Sequence, residues 1–278
     1  VITNIGQCHL ENLGSREGIL KAKTEIFKSM NPEGYVFLNG EDDLLATVKK
    51  PWKNEIIRFG MSKKDAVYAT DVVNKGLPGS EAVIHVADTQ FSVKVPLPGI
   101  HMVLNALAAT AVGWQLGLTT EQIAKGIAQV QAVAGRSHVI ETPEYILIDD
   151  CYNANPVSMK AAIDLLGTAL QRKVAVLGDM FELGKDEAIL HAQIGEYAIT
   201  HGVDVLICIG ELSKNMYERA VETLSGKEHG SREIYYFPTR EEAMAQLPHI
   251  LHTGDAVLIK ASHSMKFEEI VEQSTGRI

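Results

Sequence analysis

Residues 145–260 contain the runs YILIDD (145–150), KVAVLGD (173–179), VDVLICIG (203–210), IYYF (234–237) and AVLIK (256–260). Between them lie PVSMKAAIDLLGTAL (156–170), EAILHAQIGEYAITHG (187–202), ELSKNMYERAVETL (211–224) and REEAMAQLPHIL (240–251). Short Val/Ile/Leu runs alternate with longer segments whose apolar residues recur at helical spacing, and a closing helix follows Lys260. This alternation predicts an α/β, Rossmann-like domain with a doubly wound parallel sheet. In such sheets ligands collect where strands end and helices begin, so the polar turns after the strands are the places to look for chemistry.

Towards the N-terminus the pattern changes at Gly135-Arg136, which puts a domain boundary near residue 134 and divides the chain into 1–133 and 134–278. YVFLN (35–39), EIIRFG (55–60), AVYATDVV (66–73), AVIHVAD (82–88) and FSVKVPL (91–97) alternate with Gly, Asn and Asp turns, as strands of a mixed sheet would. NALAATAVGWQLG (105–117) and TTEQIAKGIAQV (119–130) then read as helices, with Gly117 and Thr119-Thr120 punctuating the junction. VITNIG (1–6) reads as a buried strand, followed by a loop and by a helix that Ser15 can cap. The chain is expected to start inside a fold.

Composition bounds the function. The 278 residues are 46% hydrophobic and 22% charged, as in ordinary globular protein. A formal charge of -9 without a Lys/Arg cluster argues against a general nucleic-acid binder. Cys8, Cys151 and Cys208 are odd in number and widely spaced, which suggests neither disulfides nor a zinc site. No apolar run is long enough to span a bilayer, and a cytoplasmic location is the expectation.

NIGQCHLENLGS (4–15), LKAKTEIF (20–27), GIHMVLNALAATAV (99–112), AGR (134–136), LIDDCYNANPVSM (147–159), VLGDMFELG (176–184) and VLIKASHSMKFEEIV (257–271) form an ordered series. It resembles the motif series of the Mur ligase family, MurF type, from residue 1 to about residue 272. The resemblance implies the second part of a central ATPase domain followed by the whole C-terminal domain. It implies ATP-dependent joining of D-alanyl-D-alanine to a UDP-MurNAc-tripeptide through an acyl phosphate, with ATP and Mg2+ required.

It also implies residue roles. His9 matches a metal-contacting histidine, although a lone loop histidine is more often a surface or packing residue. Lys23 matches a lysine modified to a carbamate that supplies oxygen to a hard cation, whereas Lys21, Lys23 and Lys28 with Glu25 also read as a plain solvated helix face. Asn105 is placed against the adenine edge and His101 beside the base, with Met102 standing where Asn is common. Arg136 sits at the domain junction, within reach of nucleotide phosphates, and Asp150 is positioned for a ribose hydroxyl. Asp179 and Glu182 could receive the incoming ammonium group, and Lys260 the carboxylate of D-Ala-D-Ala or of the peptide. His263 stands where the family commonly has Arg, a departure that removes a bidentate fork. Asp149, Asn153 and Asn155 organise the turn before Pro156, and Cys151 packs.

A phosphate loop of the form GxxxxGK[ST] is expected in this family, but the nearest string, GDMFELGKD (178–186), fails in both spacing and chemistry. The chain is therefore expected to be truncated and inactive alone. The alternative is a nucleotide- or peptide-binding regulatory module, or a subunit paired with a separate chain that supplies the loop.

Overall fold

The computed structural model describes residues 1–6, 13–49, 55–225 and 232–276. Residue contacts divide the chain into two compact units, Val1–Gln131 and Ala132–Ile278.

The first unit contains α1 (Arg16–Thr24), β1 (Val36–Asn39), α2 (Asp43–Thr47), β2 (Ile56–Gly60), β3 (Val67–Asn74), β4 (Ser80–Val86), β5 (Thr89–Val95), α3 (Ile100–Gln115) and α4 (Thr120–Ala128). Its sheet runs β1-β2-β3-β4-β5. β1, β2 and β3 are parallel, and β3, β4 and β5 antiparallel. This is the mixed sheet that the alternating runs predict. Ala-rich α3 buries Val103, Ala106, Leu107, Ala108 and Ala111 in the same core as Phe59, Ile84 and Val93. Its small side chains allow close packing on the sheet. Gly117, at φ +82°, ends that helix, and Thr119 caps α4 in a reciprocal capping box with Gln122. Ser15 caps α1 by accepting from the Gly18 N–H at 3.2 Å, and the helix tightens to a 3-10 turn over Glu25–Ser29.

The opening segment is not a full strand. Ile2 makes a single parallel bridge to Leu38, and Ile2 and Ile5 are buried with Ile19, Phe27, Val36 and Leu45. Side chains replace the ladder. Asn39 Nδ2 donates to the Thr3 carbonyl at 2.9 Å, Lys23 Nζ to the Asn4 carbonyl at 2.9 Å, and Arg16 Nε to the Ile5 carbonyl at 2.9 Å. The Ile5 N–H donates to Asp42 Oδ2 at 2.7 Å, while Asp42 Oδ1 caps the short α2.

The second unit contains β6 (His138–Glu141), β7 (Ile146–Asp149), α5 (Pro156–Gly167), β8 (Lys173–Gly178), α6 (Glu187–Thr200), β9 (Val205–Ile209), α7 (Ser213–Ser225), β10 (Glu233–Phe237), α8 (Arg240–Ile250), β11 (Ala256–Lys260) and α9 (Glu268–Ser274). The sheet order is β10-β9-β8-β11-β7-β6. All neighbours are parallel except β6, which pairs antiparallel with β7 at the edge and departs from the expected strict alternation. Every residue of β9 and β11 is buried, as expected of parallel strands covered on both faces. Their continuous aliphatic runs are the consequence.

Candidate functional site

In the second unit the polar residues gather at the carboxyl ends of β7, β8 and β11. β7 ends in two aspartates with different tasks. Asp149 is buried; its Oδ2 accepts from the Gly135 N–H at 2.8 Å, and its Oδ1 from the Cys151 thiol at 3.0 Å. Asp150 Oδ1 accepts from the Ser137 N–H at 2.7 Å and from its hydroxyl at 3.3 Å, while Oδ2 meets Lys260 Nζ at 2.6 Å. The Tyr152 N–H closes the arrangement on the Gly135 carbonyl at 2.9 Å. The segment Gly135–Ser137 is thus strapped onto the turn that follows β7. Gly135 is required there, because at φ +76° a Cβ would lie 3.1 Å from the Tyr152 nitrogen.

The strap presents Arg136. Its guanidinium carbon lies 4.1 Å from the centroid of the Tyr152 ring, and the His263 ring approaches the same tyrosine at 5.5 Å. All three side chains are on exposed residues. A guanidinium over an aromatic face keeps in-plane N–H groups for two oxygens of an anion such as phosphate or carboxylate. Asn155 caps α5 by accepting from the Ser158 N–H at 2.9 Å, with Pro156 in the first turn, and Asn153 Oδ1 accepts from the Ala154 N–H at 2.8 Å. These asparagines organise the turn. Burial, then the hydrogen bond to Asp149, pushes the Cys151 thiol far up, so it is a packing group rather than a thiolate nucleophile.

The loops after β8 and β11 touch. The Ser262 N–H donates to the Asp179 carbonyl at 3.0 Å, and the Phe181 N–H to Ser262 Oγ at 2.9 Å. Asp179 is buried, and its Oδ1 accepts from both the N–H and the hydroxyl of Ser213 at 2.7 Å, capping α7. Gly210, at φ +113°, makes room for that carboxylate, which a Cβ would meet at 2.5 Å. Glu182 sits on the exposed part of the same loop in a left-handed conformation, φ +62°. Behind the loop, fully buried His191 accepts from the Met180 N–H at Nε2 (2.9 Å). Its Nδ1–H therefore donates to the Glu187 carbonyl at 2.7 Å. Desolvation lowers its pKa from the ordinary 6.5, so this imidazole is neutral.

In the first unit, His101 and Asn105 lie one turn apart on α3, and Asn105 Nδ2 contacts Met102 Sδ at 3.4 Å. Lys23, on exposed α1, donates to the Asn4 carbonyl; Lys28, not Lys23, pairs with Glu25, at 4.0 Å. His9 lies outside the described residues. Among the described residues no group of three or more His, Cys, Asp or Glu is placed to hold a metal. A lysine ammonium against a carbonyl does not fit a divalent cation; only a carbamate at Lys23 would offer it oxygen.

Sequence reasoning missed Ser137, Tyr152, His191 and Ser213. Tyr152 lies inside a recognised motif, which is the one signal that could have found it. Ser137 and Ser213 meet partners 13 and 34 residues away, and His191 meets Met180 across 11 residues as well as Glu187 one turn before it.

Comparison with known proteins covers both units. Residues 1–113 match the family described as Mur ligase middle domain, and residues 135–263 the family described as Mur ligase, glutamate ligase domain. The chain is 32% identical, over 98% of its length, to UDP-N-acetylmuramoyl-tripeptide--D-alanyl-D-alanine ligase of Bacillus subtilis, and equally to the ligase of that name from Escherichia coli. It spans 58% of each of these relatives. Among solved structures it is similar to MurF from Acinetobacter baumannii, with TM-score 0.85 and 29% identity over 98% of this chain and 58% of that one. It is also similar to MurF ligase from Thermotoga maritima in complex with ADP, with TM-score 0.82 and 25% identity over 99% and 60%. With both of its units matched and the polar turns of the series assembled at the strand ends, the chain belongs to the Mur ligase family.

Proposed function

We propose that the protein carrying this chain is an ATP-dependent amide ligase of peptidoglycan precursor synthesis, joining D-Ala-D-Ala to UDP-MurNAc-tripeptide in the cytoplasm. The observation that carries the reading is the likeness to ligases of that name along nearly the whole chain, across both units. Among the described residues no helix is long and apolar enough to cross a membrane.

In this reaction the γ-phosphoryl group of ATP passes to the peptide carboxylate, giving an acyl phosphate and ADP. The amine of D-Ala-D-Ala then attacks the carbonyl, an amide forms, and phosphate leaves. The chain's own residues bind and orient. Asn105, whose amide can both donate and accept, would read the adenine edge beside His101. Arg136, over the Tyr152 ring, would hold phosphate oxygens. Asp150 retains lone pairs for a ribose hydroxyl even with its present partners, since a carboxylate accepts about four bonds. His263 and Glu182, on the exposed loops after β11 and β8, would meet the carboxylate and the ammonium of the dipeptide. Asp179, committed to capping α7, would shape that loop rather than touch substrate. Lys23 would serve at the metal only after carbamylation.

The test is mass spectrometry of the product made from ATP, UDP-MurNAc-tripeptide and candidate amino acids or dipeptides. The expected product carries D-Ala-D-Ala, and omission of any substrate abolishes it. A product carrying a single amino acid instead would refute the assignment while leaving the chain among ligases.

A further inference from the structure

We propose that Lys260 is a positioning residue that acts through Asp150 to hold the Arg136 strap, and that it makes no direct contact with substrate. This rests on the functional reading above in what Arg136 and Asp150 bind. An ammonium has three protons to donate and accepts nothing. Here Nζ is 2.6 Å from Asp150 Oδ2, 2.8 Å from the Asn153 carbonyl and 3.3 Å from the Asp150 carbonyl. These acceptors take all three protons, and the lysine is only 2% exposed.

The consequence reaches Ser137. Lys260 fixes one oxygen of Asp150 inward, which leaves Oδ1 facing the strap to accept both the N–H and the hydroxyl of Ser137. Ser137 is itself buried and sits at φ +47°, a left-handed conformation that a serine keeps only where its surroundings over-determine it. Gly135 on the other side is held by Asp149 and Tyr152. Arg136 therefore stands between two anchors, and the second depends on Lys260. Without that cation, Asp150 would be a carboxylate only 14% exposed that has lost its ion-pair partner and is free to swing towards water.

The experiment compares Lys260→Met with the unaltered protein carrying this chain, by amide hydrogen exchange at Ser137 and by separate KM values for ATP and D-Ala-D-Ala. Exchange at Ser137 should accelerate about tenfold or more, the KM for ATP should rise about tenfold, and that for D-Ala-D-Ala should stay within about twofold. Unchanged exchange with a raised D-Ala-D-Ala KM would make Lys260 a direct substrate ligand and overturn the proposal. Accelerated exchange with an unchanged ATP KM would break the link to Arg136. If these substrates do not turn over, the functional reading fails, while the exchange rate still decides whether Lys260 holds the strap. Should Lys260→Met not fold, the double variant Asp150→Asn/Lys260→Met removes both charges together. Its Ser137 exchange should then equal that of Asp150→Asn alone, and a clearly faster rate would show that Lys260 acts by some other route.

Discussion

Asp150 and Lys260 meet beneath the surface of the second unit, with side chains 14% and 2% exposed, whereas Lys23 in the first unit meets a backbone carbonyl from an exposed helix position. Both lie where the motif series marks chemistry. The groups of the second unit stand at the ends of β7, β8 and β11, strands packed in one continuous core, and they are positioned by buried, satisfied polar bonds. Those of the first unit stand on helix surfaces, and the segment leading towards His9 is held by Asn39, Arg16, Asp42 and Lys23 in place of a strand ladder. The candidate groups of the second unit are thus held in place by their own chain. Lys23 and Asn105 in the first unit stand on exposed helix positions.

The comparison can be broken by stability measurements. Asp150→Ala strands the buried Lys260 charge and should cost about 3–5 kcal/mol in the transition of the second unit. Lys23→Ala should cost less than about 0.5 kcal/mol in that of the first, as exposed substitutions usually do. Calorimetry of the chain reads both, and similar losses would erase the distinction between the two units.

A smaller effect sharpens it. His191 is neutral and buried, with its pKa lowered by desolvation. The unfolded imidazole takes a proton near the ordinary value of 6.5 and the folded one resists it. Stability from this group is therefore complete above that value and is lost as pH falls towards the depressed folded value. The slope should approach about 1.4 kcal/mol per pH unit. His191→Gln, which can still accept from Met180 and donate to Glu187, should flatten that slope in the second unit. An unchanged acid slope would place the sensitivity elsewhere.

What the sequence made legible follows from how local each signal is. Asn155-Pro156, Thr119 and Gly117 mark helix ends through bonds spanning a few residues, and the β-branched runs of both sheets are bounded by turn residues. Short or edge elements were not legible. α2 has five residues, held largely by Asp42, and β6 is a half-exposed four-residue edge without clean alternation. VITNIG has the composition of a strand but makes one bridge, because side chains take over the pairing. The site divides the same way. The charges at strand ends could be named, but their partners could not: Lys260 meets Asp150 across 110 residues, and Asp179 meets Ser213 across 34. Residue type and position at a strand end show that a charge is there, while the bonds it makes within its own chain appear only in the fold.

Lys23 and Lys21 bear most directly on the placing of the reaction, since both are exposed on α1 and, among the described residues, Lys23 alone of the two donates to the Asn4 carbonyl. In the protein carrying this chain, D-Ala-D-Ala-dependent phosphate release would be measured for Lys23→Ala and Lys21→Ala side by side. A loss of about a hundredfold or more is expected for Lys23→Ala, on the scale of removing an electrostatic catalytic group, with Lys21→Ala within about twofold of the unaltered protein. Equal effects of the two substitutions would reduce Lys23 to a solvated helix residue and contradict the placing of the reaction centre.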